Sequence, residues 1–202
     1  MSDLKSGLLL RGVPKQVLAA RQRAELIVGA DEVQFAVDRV AVRLSALLAQ
    51  ENPFVVCVMQ GGLPYTGELV RRLHCPLQLG YVHVGRYRGT THGGQLDWIA
   101  EPQLDLSGRH VLLVDDILDE GVTLAALVDW ANAQGARRVT TTVLVHKVLV
   151  NEGSAEVRPV VVDFPVLQCP DRYLFGCGMD YRGYWRNLPS IYALPLDMED
   201  SH

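Results

Sequence analysis

Two hydrophobic periodicities alternate along this chain, and their order predicts its elements. Residues 24–28 read as a short strand. From Val33 the apolar residues return at helical spacing through Val37, Val40, Leu44 and Leu47, so 31–50 is an amphipathic helix. Asp31 and Gln34 have the form of a capping box at its start. After Pro53, Phe54–Met59 is continuously apolar, the pattern of a strand covered by helices on both faces. Gly61 and Gly62 end it. Leu63, Leu69, Val70 and Leu73 then predict a helix over 63–74, and Pro76 turns the chain into a strand at 77–84. Residues 85–94 break both periods, with Arg86, Arg88 and His92 set among Gly, Thr and Tyr, and read as a mobile loop. Another apolar strand at 110–114 is followed at once by acidic residues and a helix over 124–134, which Gly135 stops. Strands follow at 139–145 and 160–164. This repetition predicts a parallel α/β sheet, and the last forty residues, rich in Tyr, Pro and Gly, read as a hood on that core.

Length and composition narrow this picture without supplying chemistry. At 202 residues the chain is expected to be one domain, with a core at about 35–165 and a hood from about 1–30 and 166–195. Hydrophobic residues at 49% and charged residues at 21% exclude disordered and fibrous classes. The net charge of −4 gives no global basic field, so no nucleic-acid partner is expected. Cys57, Cys75, Cys169 and Cys177 form no CxxC pair and no zinc spacing, and are read as reduced thiols. No run approaches the ~18 apolar residues of a membrane span, and the first residues lack the apolar core of a signal peptide. A cytoplasmic protein with no membrane partner is the expectation.

The chemistry concentrates in residues 111–123, VLLVDDILDEGVT. Open α/β sheets bind ligands beyond the carboxyl ends of their strands, and a buried strand delivers Asp115 and Asp116 to that edge. Helix N-terminal acids are favoured by the macrodipole, which accounts for Asp119 and Glu120 but not for an adjacent pair at a strand exit. From Asp119 to Thr123 the chain makes a Gly-containing turn into a helix, whose amides and Thr123 hydroxyl can ring a phosphate. Asp115 and Asp116 can accept from a sugar diol or organise hydrated Mg²⁺. A phosphorylated ribose satisfies both.

Strand, two acids, two apolar residues, Asp, then Gly-x-Thr resembles the phosphoribosyl-diphosphate signature of the type I phosphoribosyltransferases, whose parallel, Rossmann-like α/β core carries a small hood. A Walker A loop is absent. Residues 170–189, PDRYLFGCGMDYRGYWRNLP, resemble the C-terminal signature of the hypoxanthine-guanine phosphoribosyltransferases. Upstream, VMQGGLPYTGELVRRL (58–73) is similar to that family's pyrophosphate loop and helix, and LVHK (144–147) to the segment bearing its purine-contacting lysine. The motifs stand in the family's order from about residue 24 to 195. Alone, Lys147 reads as a solvated lysine, Tyr173 as core and Arg186 as an ion-pairing side chain; inside this set they read as site residues. Arg71 and Arg72 read as a solvated helix face.

The resemblance implies a role for each matching residue. Asp115 and Asp116 would bind the ribose hydroxyls and, through water, Mg²⁺. Asp119 would face N7 of the purine as catalytic acid-base group, and Glu120, Gly121, Val122 and Thr123 would cradle the 5′-phosphate. Lys147 would donate to O6, Tyr173 would stack on the base, and the Leu174 backbone would pair with its edge. Asp180 would hold a second Mg²⁺ and Arg186 would contact pyrophosphate. Gln60 and Gly61 would bind pyrophosphate beside a cis Met59–Gln60 peptide, and Arg86 and Tyr87 would act from the lid. The implied reaction is magnesium-dependent purine salvage, from phosphoribosyl diphosphate and a 6-oxopurine to IMP or GMP, by a homodimer or homotetramer.

Several positions depart from the family pattern. Arg86 stands where Ser usually precedes the lid Tyr, and Gln60 where Lys is frequent. Glu120 replaces Thr or Ser in the phosphate turn and must point outward. Asp115 in place of Glu is conservative. Alternatives are a same-fold enzyme preferring xanthine or another base, and a non-catalytic regulator that senses phosphoribosyl diphosphate and binds nucleic acid. An ammonium at Lys147 can only donate, which suits a 6-oxo group and not the amine of adenine. Xanthine stays open.

Overall fold

The computed structural model describes residues 12–85, 98–100, 105–148 and 158–199. Among them, six strands form one sheet: β2 (Phe54–Met59), β3 (Gln78–Val84), β4 (Trp98–Ala100), β5 (His110–Leu118), β6 (Arg138–Val148) and β7 (Phe164–Pro170). Their order is β4-β3-β2-β5-β6-β7, parallel except for the β3–β4 pair at one edge. A second, antiparallel sheet joins β1 (Glu25–Val28), β9 (Ile191–Ala193) and β8 (Leu174–Phe175) in that order, drawing both ends of the described chain together. The central sheet is mixed α/β and mostly parallel, as the strand–helix alternation predicts.

Strand residues alternate between two cores, as the pleat requires. Val55, Leu112 and Val114 pack with Val33, Val37, Val40 and Leu44 of α2 (Ala30–Leu48) and with Tyr65 and Leu69 of α3 (Gly62–Val70). Val56, Val58, Val111 and Leu113 pack on the other face with Leu124, Leu127 and Ala131 of α4 (Val122–Ala133). A third cluster joins Val17 and Ala20 of α1 (Lys15–Arg23) to Phe175, Tyr181 and Leu194. Burying a large apolar side chain contributes about 1.5–3 kcal/mol, so β5, covered on both faces, can carry two aspartates at its open end. Burial also pushes the thiols of Cys57, Cys169 and Cys177 upward, the last two to about 11 and about 12, which keeps them protonated and unreactive.

The structure corrects several expectations. The last parallel strand is not 160–164; pairing with β6 begins at Phe164 and runs to Pro170. Val162 is buried against the α4-side core, and the Asp163 carboxylate accepts from the Thr141 amide and hydroxyl at 2.8 and 3.0 Å, pinning the chain before the ladder starts. Pro165 and Pro170 masked this strand in the sequence, but β7 is an edge strand, where proline is tolerated. Nor does β5 stop at Val114: Asp115 and Asp116 are still in the strand, which continues to Leu118 against β6.

The capping box is also absent. Gly29 is the N-cap of α2, and no side chain caps it. Gln34 Oε1 accepts instead from Arg72 Nη2 at 2.5 Å, while Arg72 reaches Asp38 and Glu68 at 2.5 and 2.6 Å. Arg72 is thus a clamp between α2 and α3, not part of a solvated face. Helix α3 ends at Val70, and the remaining elements, α1, β4, β8, β9 and the short α5 (Leu196–Glu199), carried no period long enough to predict them.

Candidate active site

The carboxyl ends of β2, β5 and β6 and the loop after β8 meet at one edge of the molecule. At the end of β2 the Met59–Gln60 peptide is cis, as the resemblance implied. Gln60 is exposed and Gly61 buried. A Cβ on Gly61 would lie 1.8 Å from Asp116 Oδ2, so only glycine allows this loop to lie against the β5 aspartates. On its far side Gly61 meets Gly178, where a Cβ would come within 2.0 Å of the Gly61 carbonyl oxygen. The loop after β2 is therefore held between Asp116 and the Gly178 turn. Asp115 Oδ1 accepts from the Asp116 amide at 2.9 Å.

Beyond Leu118 the chain turns through Asp119 and Glu120 into α4. Gly121 is the N-cap with φ of +82°, a left-handed conformation that starts the helix directly after the strand. The amides of Val122, Thr123 and Leu124 open the first turn, where helical amides lack intrahelical partners and the dipole favours an anion. Glu120 and Val122 are exposed.

Across this turn, at the end of β6, Lys147 Nζ lies 3.2 Å from Asp119 Oδ1 and 3.3 Å from Asp171 Oδ1. The Lys147 side chain is only 12% exposed, whereas Asp119 is 55% exposed, so the ammonium sits beneath the carboxylate. Arg158 ties the same two segments together. Its Nε donates to the Asp119 carbonyl at 2.5 Å and its Nη2 to the Lys147 carbonyl at 2.8 Å. Its Nη1 contacts His146 Nε2 at 3.2 Å. Burial, reinforced by the Arg158 charge, holds the His146 imidazole below its ordinary value.

The C-terminal segment closes another side. The Tyr173 hydroxyl donates to the Asp180 carbonyl at 3.1 Å, with its ring edge-on to Tyr181. Leu174 is buried in β8 opposite Ala193. Arg186 Nη2 pairs with Asp180 Oδ1 at 2.7 Å, and its Nη1 donates to the Gly178 carbonyl at 2.6 Å. The Gly183 amide donates to Asp180 Oδ2 at 2.7 Å. These bonds fix Asp180 and Arg186 next to the turn that touches Gly61. Arg172 anchors the segment through Glu199 at 2.6 Å, Glu25 and the Leu194 carbonyl.

Of the residues singled out in the sequence, Gly61 and Asp116 are in contact, as are Asp119 and Lys147, and Asp180 and Arg186. Arg86 and Tyr87 lie outside the described residues, as does most of the 85–94 loop. Two residues were missed. Asp171 follows β7 directly, as Asp119 follows β5, and could have been found by that position. Arg158 carries no sequence signal, because its contacts are made only when β6 and the 119–121 turn come together.

Among the described residues no group of three or more His, Cys, Asp or Glu side chains could hold a metal by itself. Asp115, Asp116 and Asp180 are carboxylates of the kind that Mg²⁺ takes one or two at a time, together with waters and substrate oxygens. No described helix is long and apolar enough to cross a membrane.

Comparison with known proteins places this geometry in a family. A hypoxanthine-guanine phosphoribosyltransferase of Streptococcus pneumoniae is 31% identical over 171 residues, 84% of this chain and 92% of that protein. A hypoxanthine-guanine-xanthine phosphoribosyltransferase of Tritrichomonas foetus is 27% identical over 164 residues, 81% of this chain and 87% of that one. The crystal structure of a hypoxanthine phosphoribosyltransferase from Staphylococcus aureus superimposes with a TM-score of 0.78 at 20% identity, over 89% of this chain and 96% of the other, which bears on the fold. The family model for the phosphoribosyl transferase domain matches residues 28–182, spanning every element from β2 to β8, and the chain belongs to that family.

Proposed function

We propose that this protein transfers the 5-phosphoribosyl group of phosphoribosyl diphosphate to hypoxanthine or guanine, forming IMP or GMP and releasing pyrophosphate with Mg²⁺. The observation that carries this reading is the Asp119–Lys147 pair. A carboxylate and an ammonium 3.2 Å apart offer an acceptor beside a donor, the complement of the adjacent N7–H and O6 of a 6-oxopurine. Support also comes from the relatives, two of which bear names specifying hypoxanthine and guanine as substrates.

In this reading the 5′-phosphate rests on the amides of residues 121–123 and the Thr123 hydroxyl, and Asp115 and Asp116 accept from the ribose diol. The C1–oxygen bond breaks with its electron pair leaving on pyrophosphate, the purine N9 lone pair forms the new bond to C1, and the N7 proton passes to Asp119. Positive charge grows on the ribose and negative charge on the leaving group, where Arg186 and donors near Gln60 and Gly61 stabilise it. Asp115 and Asp116 would hold one Mg²⁺ through water and Asp180 a second, and these ions would supply Lewis-acid stabilisation of the diphosphate. Lys147 orients the base through O6, Tyr173 stacks on it, and the Leu174 backbone reads its edge. Glu120, exposed, keeps its carboxylate off the phosphate.

The whole chain acts as one unit, with the segments at about 1–30 and 166–195 as its hood, supported by the sheet that joins β1 to β8 and β9. It works in the cytoplasm as a homodimer or homotetramer. The test is pyrophosphate release with phosphoribosyl diphosphate, Mg²⁺ and each of hypoxanthine, guanine and xanthine. Turnover with hypoxanthine or guanine is expected, and none with either overturns the reading.

A further inference from the structure

We infer that Arg158 is a positioning residue that sets the spacing between Asp119 and Lys147, and so governs how the site engages the N7–O6 edge of the base; this rests on the reading above. The two side chains arise from different connections. Asp119 belongs to the turn between β5 and α4, and Lys147 to the last residues of β6. No direct backbone bond links them among the described contacts; the ladder between β5 and β6 stops at the pair Leu118↔His146, one residue short of both. Lys147 stays in β6, where it pairs with Cys169 of β7, whereas Asp119 lies in the turn beyond β5.

The Arg158 guanidinium ties these two segments together. It donates to the Asp119 carbonyl at 2.5 Å and the Lys147 carbonyl at 2.8 Å from two nitrogens of one rigid plane, while the third contacts His146 at 3.2 Å. A planar fork with fixed donor directions can do this and a lysine point charge cannot. Arg158 therefore extends the β5–β6 register by one residue where main-chain pairing ends. Arg158 touches the carbonyls, not the carboxylate or ammonium, so it acts through position.

The test compares wild-type protein with Arg158→Met and Arg158→Lys in steady-state assays with hypoxanthine and guanine, alongside phosphoribosyl-diphosphate binding and thermal unfolding. Because the 6-oxo edge is common to both bases, kcat/KM should fall by about 10- to 100-fold for each, through both KM for base and kcat, with phosphoribosyl-diphosphate affinity within about twofold of wild type. Arg158→Lys should recover only part of the loss, and it decides the matter if Arg158→Met does not fold. A folded variant with unchanged kcat and base KM, a loss confined to one base, or a loss confined to phosphoribosyl-diphosphate binding overturns the inference. Failure of the wild-type protein to use either base is a separate result, which removes the functional reading and this inference with it.

Discussion

Lys147 Nζ lies 3.2 Å from the Asp119 carboxylate and is largely buried beneath it, so the most exposed member of the pair is the acid. A carboxylate in that position, supported from below by an ammonium, is available to a ring that approaches from solvent. Asp171 shares the ammonium from the other side at 3.3 Å, which fixes Lys147 between two acids.

Replacing Asp119 with Asn keeps the size of the side chain but removes its capacity to take a proton. Turnover should fall by about 10²- to 10⁴-fold, the range of positioned acid-base groups, with little change in phosphoribosyl-diphosphate affinity. Steady-state kinetics together with titration calorimetry separates the two, and unchanged turnover would remove Asp119 from the chemistry.

Gly61 is predicted to tolerate no side chain. In Gly61→Ala the new methyl meets Asp116 Oδ2 at 1.8 Å and its Cγ at 2.3 Å, so either the aspartate or the loop must move. A shift of this kind near a reacting centre costs about 100-fold in turnover. Gly67, on α3, is the control: nothing lies within 4 Å of its Cβ position, and Gly67→Ala should keep full activity and gain up to about 1 kcal/mol from helix propensity. Equal activity in the two variants would refute the packing argument.

Tyr65 links the core to the sheet. Its buried hydroxyl lies 2.6 Å from Thr142 Oγ1, which itself donates to the Phe164 carbonyl at 2.8 Å, so Tyr65 is the donor in the first bond. Tyr65→Phe leaves the second bond intact and should reduce unfolding free energy by about 1 kcal/mol, measured by urea denaturation. An unchanged urea midpoint would show that the bond adds nothing to stability.

Stability should also fall on mild acidification. The His110 imidazole is fully buried with Nε2 2.9 Å from Thr140 Oγ1, and burial followed by the nearby Arg138 charge holds its pKa below the ordinary 6.5. As pH drops, the unfolded chain binds the proton before the folded one. The stabilisation from the neutral ring is thus complete above about pH 6.5 and declines below it until the lowered folded-state value is passed. The urea midpoint should be lower at about pH 5.5 than at about pH 7.5, and His110→Gln should reduce that difference. If the variant keeps the whole difference, His110 is not its source.

The sequence by itself determined the buried strands, the long helices and the acidic turn, because each rests on local rules: a continuous apolar run for β2 and β5, a helical period for α2, and a glycine that can start α4 at positive φ. Those rules also named Asp115 and Asp116, since the open end of a buried strand is a position along the chain, whereas the role of Asp119 came with the family resemblance. Where local signals competed with tertiary contacts, they lost. Gln34 looked like a cap and serves Arg72; 160–164 looked like a strand, but Asp163 holds it to Thr141 until the true strand begins at Phe164. Only the tertiary structure decided that Gly61 lies between Asp116 and Gly178, that Lys147 is shared by Asp119 and Asp171, and that Arg158 joins their backbones. The physical reason is distance along the chain. Each of these contacts joins segments from different connections, and no period or spacing within one segment encodes what another will bring to it.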